Sequence, residues 1–253
     1  MRWWRLDNGF ALRKRIRKMI DMQWQEVAAR LFPAGHDIEV DGDLLAGSGR
    51  CGDAVFAVIG TTDHAEIGVE LALAMSAHVL ATIREHPARP ILFLVDTQGQ
   101  RLRRRDELLG IHRYMAHLAK CVEVARSRGH RVLGLVYDQA LSGGFLASGM
   151  MADLCAALPE SEIRVMSLPA MARVTRLPEE RLRALAQASP VFAPGAIHYV
   201  QMGAIDALWD GDLAANLMRA LRDAPTHDTR RDLGHSRGGR HLAAPIAERA
   251  ASE

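Results

Sequence analysis

The sequence predicts an α/β fold in which a mostly parallel sheet is covered by helices on both faces. Two observations predict it. Val55–Ile59, Ile91–Val95 and Val132–Val136 are short runs without polar alternation, as expected of strands buried on both sides. Between them lie long amphipathic or Ala-rich stretches, so strands and helices alternate in the βαβ manner that makes a parallel sheet.

Each element follows from its local pattern. From about Phe10 to Leu31, the positions Leu12, Ile16, Met19, Ile20, Val27 and Leu31 make a helical stripe. Gly35 to Gly52 is rich in Gly and Asp and reads as turns around a short extended segment, Asp37–Val40. Val55–Ile59 is a strand closed by Gly60, and Ile67 to Arg84 is a long helix. Pro90 introduces the strand Ile91–Val95, which Asp96-Thr97-Gln98-Gly99 ends. A helix over Leu108 to Arg128 stops at Gly129. The strand Val132–Val136 leads to a Ser-Gly-Gly turn and a small-residue helix over about Phe145 to Asp153. A short strand at Ile163–Val165 and helices at Glu179–Ala188, Gly195–Met202 and Leu213–Leu221 follow. Beyond Asp223 the apolar periodicity is lost, so residues 1–222 are expected to form one domain and 223–253 a largely irregular tail.

Composition removes several classes of function. A formal net charge of +2 supplies no electrostatic case for a nucleic-acid partner. No run of about 18 apolar residues occurs, so no membrane helix is expected. Cys51, Cys121 and Cys155 are odd in number and match no metal or redox spacing, which fits a reducing, cytoplasmic setting. His112 and His117 do not share a helix face, and the tail histidines His227, His235 and His241 lack a ligand set, so no metal is expected.

Sites in parallel α/β folds lie at the carboxyl ends of strands. The strongest local signal there is Leu141-Ser142-Gly143-Gly144-Phe145, where a strand turns into a helix. Paired glycines permit a sharp turn and leave backbone N–H groups directed at whatever sits above, a setting for developing negative charge on oxygen. The competing reading is that they only let a helix pack closely. The preceding strand ends in Asp96-Thr97-Gln98-Gly99-Gln100, which alone is an ordinary turn composition.

Together these motifs resemble the carboxyltransferase branch of the crotonase/ClpP superfamily, with its ββα spiral. Within it they resemble the gamma subunit of biotin-independent malonate decarboxylase. The similarity lies in Asp43–Gly49, Val58–His64, Val95–Gln100, Ala193–His198 and Gly203–Asp206, and spans roughly Asp41 to Asp212. It implies decarboxylation of a malonyl thioester carried by the CoA-like prosthetic group of an acyl carrier protein, with no cofactor bound by this chain. Backbone donors around Gly143, Gly144 and Phe145 would form an oxyanion hole, and Ser142, Thr97, Gln98 and Gly99 would line the substrate. The resemblance also implies a homologous beta subunit that completes the site, and an acyl-carrier transferase (alpha) subunit. Gln98 stands where the wider branch has proline, and none of Lys14, Lys18 and Lys120 sits in a biotinylation sequence.

Other candidates remain beside this reading. His64 sits at a strand end from which it can protonate an enolate carbon. Arg101, Arg103, Arg104 and Arg105 form a basic cluster suited to the phosphates of a CoA-like arm or an acidic carrier, or simply to solvent. Ala140-Leu141-Ser142-Gly143-Gly144 is one residue from a nucleophile elbow, so a serine hydrolase with Ser142 as nucleophile and His198 or His227 as base is an alternative. A non-catalytic scaffold subunit is the third.

Overall fold

Each apolar run forms a strand, and each strand outlasts its apolar part. The computed structural model describes residues 23–166, 168–188, 195–238 and 242–252. Its strands are β1 (Glu39–Asp41), β2 (Leu44–Cys51), β3 (Ala54–Thr61), β4 (Ala65–Ile67), β5 (Ile91–Gln100), β6 (Val132–Leu141), β7 (Leu154–Ala157), β8 (Glu162–Arg164) and β9 (Ala207–Leu208). The helices are α1 (Trp24–Leu31), α2 (Val69–Glu85), α3 (Arg104–Leu109), α4 (Ile111–Ser127), α5 (Ser142–Ala147), α6 (Leu168–Thr175), α7 (Glu179–Ala188), α8 (Ala196–Gln201), α9 (Leu213–Asp223), α10 (Arg230–Ser236) and α11 (Ala243–Ser252).

The sheet runs β1-β2-β3-β5-β6-β7-β9, antiparallel over the first three strands and parallel from β3 onward. Alternate residues of β5 divide between two cores. Ile91, Phe93 and Val95 join the α2 and α4 side with Met75, Val79, Leu118 and Val122. Leu92 and Leu94 join the α1 and α9 side with Val27, Leu31, Leu213 and Leu217. Complete burial of one such side chain contributes about 1.5–3 kcal/mol, which is why these strands lack polar alternation.

The functional geometry comes from the strand ends. β5 and β6 pair in register as far as Val95↔Val136, shift, and pair again at Thr97↔Ala140. Past that shift, β4 adds to β5 and β8 adds to β6, so a small second layer of β4, β5, β6 and β8 grows out of the main sheet. The stretch Asp96–Gln100, an ordinary turn composition by itself, is therefore strand, and β6 likewise runs on to Leu141.

Other expectations change as well. The Gly35–Gly52 stretch carries the eight-residue strand β2; its Gly47 lies where a Cβ would come 2.5 Å from the Asp37 carbonyl, so a glycine keeps the pairing rather than breaking it. The expected Leu108–Arg128 helix is instead two, because Gly110 adopts φ +78° between α3 and α4. The region after Asp223, expected to be largely irregular, carries α10 and α11. The start of the expected first helix lies outside the described residues, as do Ala193 and Pro194. None of the helices among the described residues is long and apolar enough to cross a membrane.

Candidate functional site

The turn from β6 into α5 is bound tightly to the end of β5. Gly99 has φ +96°, and a Cβ on it would sit 2.8 Å from both the Leu141 carbonyl oxygen and the Ser142 Cβ. A Cβ on Gly144 would sit 2.9 Å from the Gly99 carbonyl carbon. Two glycines thus let two backbones touch. Ser142 itself has φ +51°, and its hydroxyl donates to the Val165 carbonyl at 2.5 Å.

Position along α5 sorts the expected donors. The first N–H groups of a helix have no carbonyl one turn back, which leaves those of Ser142, Gly143 and Gly144 outside the helical ladder. The N–H of Phe145 is the first that can reach back to Leu141, and its ring is buried in the core at 2% exposure. Phe145 therefore anchors the turn, and the N–H groups of Ser142, Gly143 and Gly144 are the ones left outside its ladder. The Gly143 N–H donates to Gln100 Oε1 at 2.9 Å.

The facing segment is extended, so its residues alternate. Thr97 is fully buried; its hydroxyl donates to the Ala65 carbonyl at 2.7 Å and accepts the Gly99 N–H at 2.9 Å. It ties β4 to β5 rather than lining a substrate. Gln98 is exposed and Gln100 half-buried. Gln100 was missing from the residues expected at the site; strand alternation, which puts it on the same face as Gln98, is the signal that finds it.

At the inner end of this extension, Asp63 and His64 both have φ +54°. Asp96, 2% exposed, holds His64 twice: Oδ2 accepts its backbone N–H at 2.8 Å, and Oδ1 lies 2.7 Å from its Nδ1. Asp138 Oδ2 lies 3.6 Å from the same nitrogen. Consecutive left-handed residues cost on the order of 1–3 kcal/mol each, and Asp96 offsets that strain. His64, Asp96 and Asp138 are the described residues best disposed to hold a cation, their ligand atoms lying within 4.8 Å of one another. Both Asp96 oxygens are already committed to His64, so the arrangement is first a hydrogen-bonded clamp. Beside it the Tyr137 hydroxyl donates to the Thr61 carbonyl at 2.9 Å, and burial, reinforced by Asp96, pushes the phenol well up.

The arginine cluster is largely neutralised. Arg101 grips Asp106 with Nε at 2.9 Å and a terminal nitrogen at 2.8 Å, and reaches Glu70 at 2.8 Å. This holds the Asp106 carboxyl below the usual carboxylate range. Arg103 pairs with Glu66 at 3.0 Å and Arg105 with Glu70 at 2.5 Å. Arg104 is exposed and has no ion pair among the described residues.

The serine-hydrolase arrangement does not form. The Ser142 hydroxyl is spent on Val165, His198 Nδ1 lies 3.4 Å from Gln201 Oε1, and His227 is exposed. Cys51, Cys121 and Cys155 are all free and buried, and burial raises each thiol.

Comparison with known proteins gives this geometry a family. The family model for the malonate decarboxylase gamma subunit matches residues 62–253. A malonyl-S-ACP:biotin-protein carboxyltransferase from Malonomonas rubra is 30% identical over 192 residues, covering 68% of this chain and 66% of that protein, just under two thirds of its length. A chain of a Pseudomonas malonate decarboxylase hetero-tetramer in complex with coenzyme A superposes with a TM-score of 0.72 at 25% identity, covering 88% of this chain and 97% of its own. A chain of the Pseudomonas MdcD-MdcE hetero-dimer gives 0.68 at 26% identity, over 84% and 91%. The transcarboxylase 12S core, 17% identical with a TM-score of 0.64 over 78% of this chain and 39% of its own, shares the fold. The fold is that of the crotonase-type carboxyltransferases, and the chain belongs to the malonate decarboxylase gamma-subunit family.

Proposed function

We propose that this chain is the part of a malonate decarboxylase complex that stabilises the thioester enolate formed when malonyl thioester on an acyl carrier protein loses CO2. The C–C bond to the carboxylate breaks, CO2 leaves, and the electron pair passes into the thioester, placing charge on its oxygen. Backbone N–H groups fixed in advance lower that barrier because they need not reorganise as the charge develops. The observation that carries the reading is the Gly143 N–H, which meets the neutral amide oxygen of Gln100 at 2.9 Å at a turn held open by Gly99 and Gly144. Gly144 supplies the donor, Gly143 fixes Gln100 beside it, Ser142 and Thr97 hold their backbone, and Gln98 faces the substrate.

The reaction belongs to the complex. A homologous beta subunit closes the site, as the existence of an MdcD-MdcE hetero-dimer supports for a related enzyme. An alpha subunit transfers the carrier, the chain itself binds no cofactor, and the assembly works in the cytoplasm. Arg104 meets the acidic carrier or its phosphate arm, with Arg103 joining when it leaves Glu66. His64 acts by holding the β3–β4 turn in place.

The name of the Malonomonas rubra relative supports a second reading, in which the carboxyl group passes to a biotin protein instead of leaving as CO2. Purification of the complex from its native cell tests both. Co-isolation of a homologous carboxyltransferase-like subunit and a small carrier protein is expected; isolation of the chain alone, or with a biotinylated protein in place of these, contradicts the first reading.

A further inference from the structure

Gln100 is committed on one side and open on the other. A backbone N–H can only be met by an acceptor, so the contact with Gly143 requires the side-chain amide to present Oε1 there. The amide cannot flip without losing that bond. Its Nε2 therefore points away from Gly143 with two N–H groups, and none of the described residues accepts from it. The side chain is half-buried, beside the exposed Gln98 and against the same turn. A polar group fixed at one end and offered at the other is a recognition element.

The chemistry of the offered end narrows its partner to an anion or a carbonyl. On the decarboxylase reading, on which this inference rests, a malonyl thioester carries one feature that its product lacks, the carboxylate. We propose that Gln100 Nε2 donates to that carboxylate and so distinguishes malonyl from acetyl thioester, while the Gly144 N–H takes the thioester oxygen. Gly143 then acts through Gln100, by locking the amide.

A neutral donor suits this step. An arginine in the same place would form a charge-assisted bond that stabilises the ground-state carboxylate, whose charge must depart as CO2 forms. An amide orients the carboxylate and releases it more readily. Three of the arginines that follow Gln100 in the sequence fit this division, since Arg101, Arg103 and Arg105 are held by Asp106, Glu66 and Glu70.

The test uses the complex purified from the native cell, with wild-type chain, Gln100→Ala or Gln100→Glu. KM and kcat are measured for the malonyl thioester of the co-purified carrier, and the inhibition constant for its acetyl thioester. Gln100→Ala is expected to lower kcat/KM for malonyl thioester roughly 10- to 100-fold, the worth of one hydrogen bond to a charged group, and to leave acetyl binding within about threefold. Gln100→Glu keeps an oxygen for Gly143 but sets a negative charge against the carboxylate, so its loss is at least as large. Equal losses for both thioesters would mean a structural role, and tighter binding of both would mean that Gln100 is only a plug; either overturns the assignment. A wild-type complex that binds both thioesters but turns over no malonyl thioester overturns the decarboxylase reading, and the assignment with it.

Discussion

Gly99 and Gly144 meet backbone to backbone, so closely that a Cβ on Gly144 would lie 2.9 Å from the Gly99 carbonyl carbon and 3.0 Å from its Cα. Neither obstacle is a flexible side chain. Gly144→Ala is therefore expected to force the β5 and α5 segments apart, lowering stability by about 1–3 kcal/mol and abolishing turnover in the complex. Gly143→Ala differs, because its Cβ meets Gln100 Oε1 at 2.8 Å, the movable end of a side chain. It should melt close to wild type and still lose activity. Thermal melts alongside turnover separate the two.

Thr97→Val keeps the volume and removes the hydroxyl that serves both Ala65 and Gly99. Two buried backbone groups then lack partners, and stability should fall by about 1–3 kcal/mol. A urea titration that shows no shift in midpoint would contradict the tie between β4 and β5.

These details mark the limit of what the sequence made legible. Strands β3, β5 and β6 were readable because burial on both faces demands unbroken apolar runs. Their extensions were not, because Asp-Thr-Gln-Gly-Gln is turn chemistry until β4 pairs with it, and the end of β6 becomes strand only where β8 pairs with Gln139–Leu141. The resemblance puts Thr97, Gln98 and Gly99 together against the substrate, whereas strand alternation leaves Gln98 exposed and turns Thr97 and Gly99 inward. The arginine cluster looked available because its partners are remote: Glu70 lies 31 residues from Arg101, and Glu66 lies 37 from Arg103.

Acid should expose the Arg101–Asp106 pair. Arg101 first, helped by the Val69 N–H, depresses the Asp106 carboxyl, so the fold favours its ionised form. That stabilisation is complete above the ordinary aspartate value of about 3.9 and is lost as pH falls through the lower folded value. Asp206 has the opposite sign: burial raises it, so its cost grows as pH rises and is relieved in acid. Wild type should exceed Asp106→Asn in urea midpoint at pH 7, with the gap closing below about pH 4. A gap that is constant down to pH 3 would contradict the pairing.

Ser142→Ala tests the hydrolase alternative. The hydroxyl is a strut to Val165, so the variant should keep turnover and lose about 1 kcal/mol of stability. A serine-reactive phosphonate should leave Ser142 unlabelled; stoichiometric labelling would restore it as a nucleophile.

Carrier docking should depend on Arg104 more than on Arg103, because Arg103 already holds Glu66. Arg104→Glu is expected to weaken carrier binding about tenfold and Arg103→Glu less, and the double variant most. Unchanged affinity of the double variant in a calorimetric titration would reject this surface.

The most direct measurement follows the fate of the carboxyl carbon. The complex from the native cell is given carrier-bound malonyl thioester labelled at that carbon, with avidin present to sequester biotin. Release of labelled CO2 in step with acetyl thioester is the result expected of an enolate held at this turn. Intact malonyl thioester, or label released only when avidin is left out, would contradict it.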